Sequence, residues 1–260
     1  GHGWTPGPRV REEIHNADVF VHGMEGFQPW VDDIKTDLAA DGSGVVTVDA
    51  SADVDLLEAD GDRDDEHDED THDDEDQDEH EHDEAMDPHF WMDPLRLEQA
   101  AGTVRQGLAD VDPDNADAYT ENADAYRARL NDLHEQIESV VAEASKDTVL
   151  VAGHDALGYF SDRYGVAVES LTNVSPDDRP TQQDIERAQE IIDAHDLQYV
   201  CADPLESQQA AEQLVEETDA EEVLPLTSIP GQTEQWAEDD WGYVEIMKNV
   251  NLQTLERALE

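Results

Sequence analysis

The chain has 260 residues, with 14 Lys+Arg against 68 Asp+Glu and a formal net charge of −54. That charge repels nucleic acid and anionic membrane surfaces, which argues against both as partners. The single cysteine, Cys201, excludes an internal disulfide and any Cys-based zinc site. No apolar run approaches the roughly 20 residues of a membrane span, and no signal peptide is visible. Only three lysines occur, Lys35, Lys146 and Lys248. An acid-covered, lysine-poor surface reads as adaptation to molar salt, where the Debye length falls to roughly 3 Å, and hence as a halophilic source.

In chain order, PGPRVREEIHNA reads as a short helix and ADVFVHG as a buried strand. FQPWVDDIKTDLAA reads as a helix and GVVTVDA as a strand. Residues 58–84 are low-complexity acid and histidine without an apolar face, the composition of a mobile loop. Helix returns over 94–109. Asp112 and Pro113 then stand as N-cap and first helical residue of a long helix over 114–145. Its apolar stripe is Tyr119, Ala123, Tyr126, Leu130, Leu133, Ile137 and Val140, spaced by fours and threes, and serves core packing. At 1.5 Å per residue the helix is about 45 Å long.

Beyond it, strands (TVLVAG, VAVESL, LQYVCA, EVLPL) alternate with helices (ALGYFSDRYG, TQQDIERAQEIIDAHD, SQQAAEQLVEETD). A loop and a closing helix, WGYVEIMKNVNLQTLERALE, follow. Strand–helix alternation on both sides of the long helix predicts an α/β fold. It has two lobes with parallel sheets flanked by helices, joined by the one long helix. The lobes are 1–111 and 147–260, with the linking helix at 112–146.

In such sheets ligands bind beyond the carboxyl ends of strands. His154 lies just past TVLVAG, and His22 ends its own strand. His2 precedes the first helix, and His89 follows the acidic loop inside DPHFWMDP. There is no HExxH. Three separated histidines can still bind zinc when the fold gathers them, since neutral imidazole is a good ligand at about 2.0 Å. By spacing alone a lone loop histidine is more often structural or merely exposed.

The motifs HGWTPGP, DPHFWMDP and GHDALGYFSDRYGV, in that order, resemble the three histidine motifs of the metal-binding receptors of ABC transporters for zinc and manganese. ADVFVHGMEGFQPWVDDI and GYVEIMKNVNLQTLERAL resemble that family's strand with Pro-Trp helix and its closing helix, so the likeness spans nearly the whole chain apart from the acidic loop. The resemblance implies two α/β lobes bridged by a long helix, with the metal in the cleft between them. It implies His2 and His89 as ligands from the first lobe and His154 from the second. His89 is then the first ordered residue after the acidic loop, rather than the tail of it. The zinc-type members carry a histidine- and acid-rich loop at this place. Here it contributes His67, His72, His80 and His82 as auxiliary, weak metal ligands.

The family's function is to capture zinc, or manganese, outside the membrane and deliver it to an ABC permease, not to catalyse. The resemblance therefore implies a monomeric, extracellular, cell-surface protein that touches the membrane only through an N-terminal lipid anchor. Members begin with a strand and helix ahead of the first histidine motif, so an N-terminally incomplete first lobe, its secretion signal and anchor lost, is expected here. Many members also supply a carboxylate after a late strand. Here EVLPL is followed by Thr227, Ser228 and Ile229. The fourth position then falls to water or a nearby carboxylate. Asp203 is one candidate, against an ordinary role in capping the next helix. Three imidazoles without a carboxylate favour zinc over manganese. The rival readings are a zinc hydrolase, for which no motif supplies a general base, and a surface metal buffer.

Overall fold

The computed structural model describes residues 4–59, 86–171 and 179–260. The first lobe opens with α1 (Pro8–His15), β1 (Val19–His22), α2 (Pro29–Asp41) and β2 (Val46–Asp49). Both helices carry proline in the first turn, where a missing N–H costs nothing. Gly42 ends α2 at φ 61°, the left-handed conformation that glycine adopts without steric penalty. β1 and β2 run parallel, in register from Val19↔Val46 to His22↔Asp49. Val31, Ile34 and Leu38, at helical spacing, form the buried face of α2. α3 (Pro94–Val111) packs along both strands and against the long helix.

That long helix is α4 (Ala116–Glu143), about 42 Å at the standard rise. The expected stripe is buried or half-buried along its whole length, deepest at Leu130, Leu133 and Ile137. Its start differs from the sequence expectation. Pro113–Asn115 form a 3-10 turn ahead of the α-helix, and Asp112 bonds no backbone N–H of that turn through its side chain. Its carboxylate instead accepts from Asn115 Nδ2 (2.7 Å) and the Tyr119 hydroxyl (2.8 Å).

The second lobe alternates β3 (Thr148–Val151), α5 (Gly158–Tyr164), β4 (Ala167–Ser170), α6 (Gln182–His195), β5 (Tyr199–Ala202), α7 (Gln209–Glu217) and β6 (Glu222–Pro225). The four strands form a parallel sheet in the order β4-β3-β5-β6. Residue parity sorts its two faces. Val149, Val151 and Cys201 join a core with Leu133, Ile137, Tyr159 and Phe160. Leu150, Ala152, Val200 and Ala202 join a second core with Ile185, Ala188, Ile192 and Leu214. Both faces are covered by helices, which is the condition for an all-parallel sheet.

Two details near the C-terminus were not expected. The loop after β6 contains a short helix, α8 (Glu234–Glu238), whose N-cap Thr233 accepts from Trp236 N–H. The closing helix is not uniform: α9 (Tyr243–Ile246) passes through a π turn, Met247–Asn251, into α10 (Leu252–Ala258). The π turn places the buried Asn251 amide on Thr227, donating to its carbonyl and accepting from its N–H, both at 2.9 Å. No helix among the described residues is long and apolar enough to cross a membrane.

Candidate metal site

A cleft of about 860 Å³ opens at the carboxyl ends of β3, β5 and β6. His89 and Trp91 line one side of it, and His154, Asp203, Glu206, Ser228 and Ile229 the other. His89 belongs to the segment that leads into α3, and His154 to the turn after β3. The structure brings these two histidines face to edge, with ring centroids 5.1 Å apart and planes at 62°. Metal–nitrogen bonds of about 2.0–2.1 Å at a tetrahedral angle place two ligating ring centres roughly 5 Å apart. The pair is therefore spaced to share one tetrahedral ion.

His89 is buried at 6% exposure. Its Nδ1 lies 2.7 Å from Asp87 Oδ1, and the same oxygen accepts its backbone N–H at 2.9 Å. A carboxylate only accepts, so Nδ1 carries the proton and Nε2 keeps its lone pair for a metal. Asp87 is itself held from the second lobe. The Tyr159 hydroxyl donates to the Asp87 carbonyl (2.6 Å) and accepts from Leu57 N–H (2.9 Å). Gly158, the first residue of α5, gives the room: a Cβ there would meet Asp87 Oδ2 at 3.1 Å.

Immediately beyond, Asp93 is fully buried. One oxygen caps α3 through Leu95 N–H (2.9 Å), and the other accepts from Arg163 Nε (2.8 Å) and Nη2 (2.7 Å). Arg96 lies over the Tyr159 ring, 4.8 Å from its centroid, and pairs with Asp162 at 3.0 Å. Trp91 Nε1 donates to the Ser228 carbonyl (2.8 Å), and the Tyr243 hydroxyl donates to the Trp91 carbonyl (2.6 Å). The DPHFWMDP segment is thus bound along its length to the second lobe. None of these roles was assigned from sequence. The signal available was the pair of aspartates that brackets the histidine and the tryptophan.

His154 is exposed and follows Gly153, whose φ of 151° is a conformation other residues rarely adopt. Although much of the residue is exposed, desolvation of the ring, first, and then the repulsion it would meet whenever His89 is protonated push its pKa below the ordinary histidine value. A lowered value keeps the ring neutral, the form a metal binds.

Asp203 is not poised as a donor. Its Oδ1 accepts from Leu205 N–H (2.9 Å), and its Oδ2 accepts from the Thr227 hydroxyl (2.8 Å) and Ser228 N–H (3.1 Å). Nor does it cap α7, whose N-cap is Gln208. With Asn251 it fixes the loop after β6, where Ile229 sits at φ 56°, a strained value for a β-branched side chain. His22 is buried, with Nδ1 2.7 Å from the Gly23 carbonyl, a local structural contact. Cys201 is buried on β5, its thiol pushed up to about 12 by burial. His2, His67, His72, His80 and His82 lie outside the described residues. Among the described residues, no group of three His, Cys, Asp or Glu side chains is gathered to hold a metal ion.

Comparison with known proteins adds the family. The model of "Zinc-uptake complex component A periplasmic" (ZnuA) matches residues 1–258. The "High-affinity zinc uptake system protein ZnuA" of Bacillus subtilis (strain 168) is 29% identical over 259 residues, covering 99% of this chain and 77% of that protein. The "Zinc-binding protein AdcA" of Streptococcus pyogenes is 27% identical over 255 residues, covering 98% of this chain. The chain spans 48% of that relative, about half its length. Among solved structures, the metal-dependent lipoprotein YcdH of Bacillus subtilis superposes with a TM-score of 0.79 at 25% identity, covering 99% of this chain and 86% of that one. The Zn(II)-bound ZnuA-like domain of Streptococcus pneumoniae AdcA gives a TM-score of 0.79 at 23% identity, covering 99% and 86%, a likeness of fold. Two parallel-sheet lobes with a long helix between them, a histidine from each side of the cleft and a family match over residues 1–258 lead to one assignment: the chain belongs to the family of periplasmic zinc-uptake component A.

Proposed function

We propose that this protein is the high-affinity zinc receptor of an ABC transporter, which captures the ion outside the membrane and passes it to the permease. The observation that carries the reading is the 5.1 Å approach of His89 and His154 across the cleft, a separation that a single tetrahedral ion can bridge. His2, carried over from the first histidine motif, is the third imidazole. Donors that are mainly imidazole favour zinc over manganese, which prefers oxygen. Relatives named as zinc-uptake and zinc-binding proteins support the same choice. The reading includes a monomer of two lobes, 1–111 and 147–260, with the linker at 112–146. It also includes a cell-surface location through a lipid anchor, and a requirement for high salt. His67, His72, His80 and His82 supply weaker, auxiliary sites among many carboxylates.

Calorimetric titration of zinc and of manganese in molar KCl tests this. One tight zinc site is expected, with manganese weaker. His89→Ala weakens the zinc site by several orders of magnitude. His134→Ala, on α4 with its Nδ1 against the Tyr164 hydroxyl at 3.1 Å, does not. Equal, small effects from the two substitutions would sink the assignment.

A further inference from the structure

The cleft holds a second kind of donor. Two of its described lining residues carry carboxylates, Asp203 and Glu206. Both oxygens of Asp203 are engaged by Leu205, Thr227 and Ser228, so that group is committed to shaping the loop after β6. Glu206 is placed differently. β3 and β5 are neighbours in the sheet, paired at Leu150↔Val200 and Val151↔Cys201, so the turns that follow them emerge side by side at the same end. His154 rides on the first turn and Glu206 on the second.

The second turn is fixed by its backbone: Glu206 N–H donates to the Asp203 carbonyl (3.0 Å), and the Glu206 carbonyl accepts from Gln208 Nε2 (3.0 Å). From that anchored base the side chain reaches the first turn. Glu206 Oε2 lies 3.7 Å from the point a Cβ on Gly153, the residue just before His154, would occupy.

We infer that Glu206 is the carboxylate donor of the site and bonds the metal ion beside His89 and His154. The inference rests on the zinc-capture reading and deepens it. An ion held by neutral imidazoles alone keeps its full double charge inside a partly desolvated cleft, which is costly; one carboxylate halves that charge. The glutamate side chain is exposed and has three rotatable bonds, so rotation brings its oxygen onto an ion that the histidines hold. The donor set becomes imidazole plus one carboxylate, and Asp203 stays outside it.

The test uses the full chain in molar KCl, where exposed charges more than a few ångströms apart are screened and a loss reports direct bonding. Zinc affinity is measured by competition with a chelator, and cobalt(II), added alone, supplies a visible spectrum of the coordination shell. Glu206→Gln is expected to weaken zinc at least about tenfold and to shift the cobalt bands, with metal-free melting unchanged. Asp203→Asn is expected to lower the melting temperature and leave the cobalt bands in place.

Wild-type zinc affinity and an unaltered cobalt spectrum in Glu206→Gln, alongside a large loss in His89→Ala, would overturn the role of Glu206 and leave the histidine site standing. A fall in metal-free melting that accounts for the affinity loss would overturn it as well, since the residue would then act through the fold. If His89→Ala and His154→Ala both bind zinc normally, the capture reading itself fails, and Glu206 falls with it.

Discussion

His89 and His154 face each other across 5.1 Å but are built by opposite means. His89 is buried, its ring fixed by Asp87, and Asp87 is fixed in turn by Tyr159 from the other lobe. His154 is exposed, on a turn whose course depends on one glycine at φ 151°. One half of the site is held by side-chain hydrogen bonds and burial, the other by backbone conformation. In the proposed zinc site, preorganisation on the first side would lower the ordering cost of binding, and exposure on the second would leave a route for the ion to enter.

The comparison can be broken most severely at Asp93, whose bridge to Arg163 ties the two histidine-bearing segments together. Asp93→Ala takes the cap from α3, one acceptor from the buried Arg96 and the acceptor of the partly exposed Arg163, so it is expected to cost about 3 kcal/mol of stability. Urea unfolding of the metal-free protein measures this, and a loss below about 1 kcal/mol would mean that the bridge is not holding the segments. Next in size is Asp87→Ala. It removes the acceptor that fixes the His89 tautomer and is expected to lower zinc affinity by roughly 10–100-fold, about 1.4–2.8 kcal/mol. Retention of full affinity would show that packing alone orients the ring.

The exposed half makes a smaller, spectroscopic prediction. With its pKa lowered by desolvation and by His89, the His154 imidazole in metal-free protein should titrate below 6.5, read from its ring proton resonances. The sign follows from the direction of the shift. The neutral ring's contribution to stability is present above the unfolded value near 6.5 and is lost as pH falls through the lowered folded value. A midpoint at or above 6.5 would contradict the burial assigned to this ring. The smallest expected effect is that of deleting residues 58–84: the tight zinc site should survive in titration, while the weaker ones vanish. Loss of the tight site would transfer the receptor function to the loop.

What sequence could show was what depends on neighbours in the chain. The stripe from Tyr119 to Val140 announces α4, and the strand–helix alternation announces the parallel sheets. His154 stands out because it follows a strand end, and His89 because it follows the acidic segment. The rest depends on contacts between residues far apart in sequence. Nothing near Trp91 says that its indole will find the Ser228 carbonyl, or that Asp93 will meet Arg163. Asp203 looked like a helix cap or a donor because its partners, Thr227 and Ser228, arrive only when β6 pairs with β5. The π turn at Met247–Asn251 has no local signature either; it follows from where the Asn251 amide must reach.

The acidic insertion leaves and re-enters the fold at one point. Glu58 and Met86 form an antiparallel bridge, Asp87 N–H donates to the Leu57 carbonyl at 2.9 Å, and the Tyr159 hydroxyl bonds both stems. For a segment whose ends are clamped together, closure entropy grows only with the logarithm of length, about 0.6 kcal/mol per doubling. A change in the number of residues between ends clamped in this way therefore costs the stem that leads to His89 little.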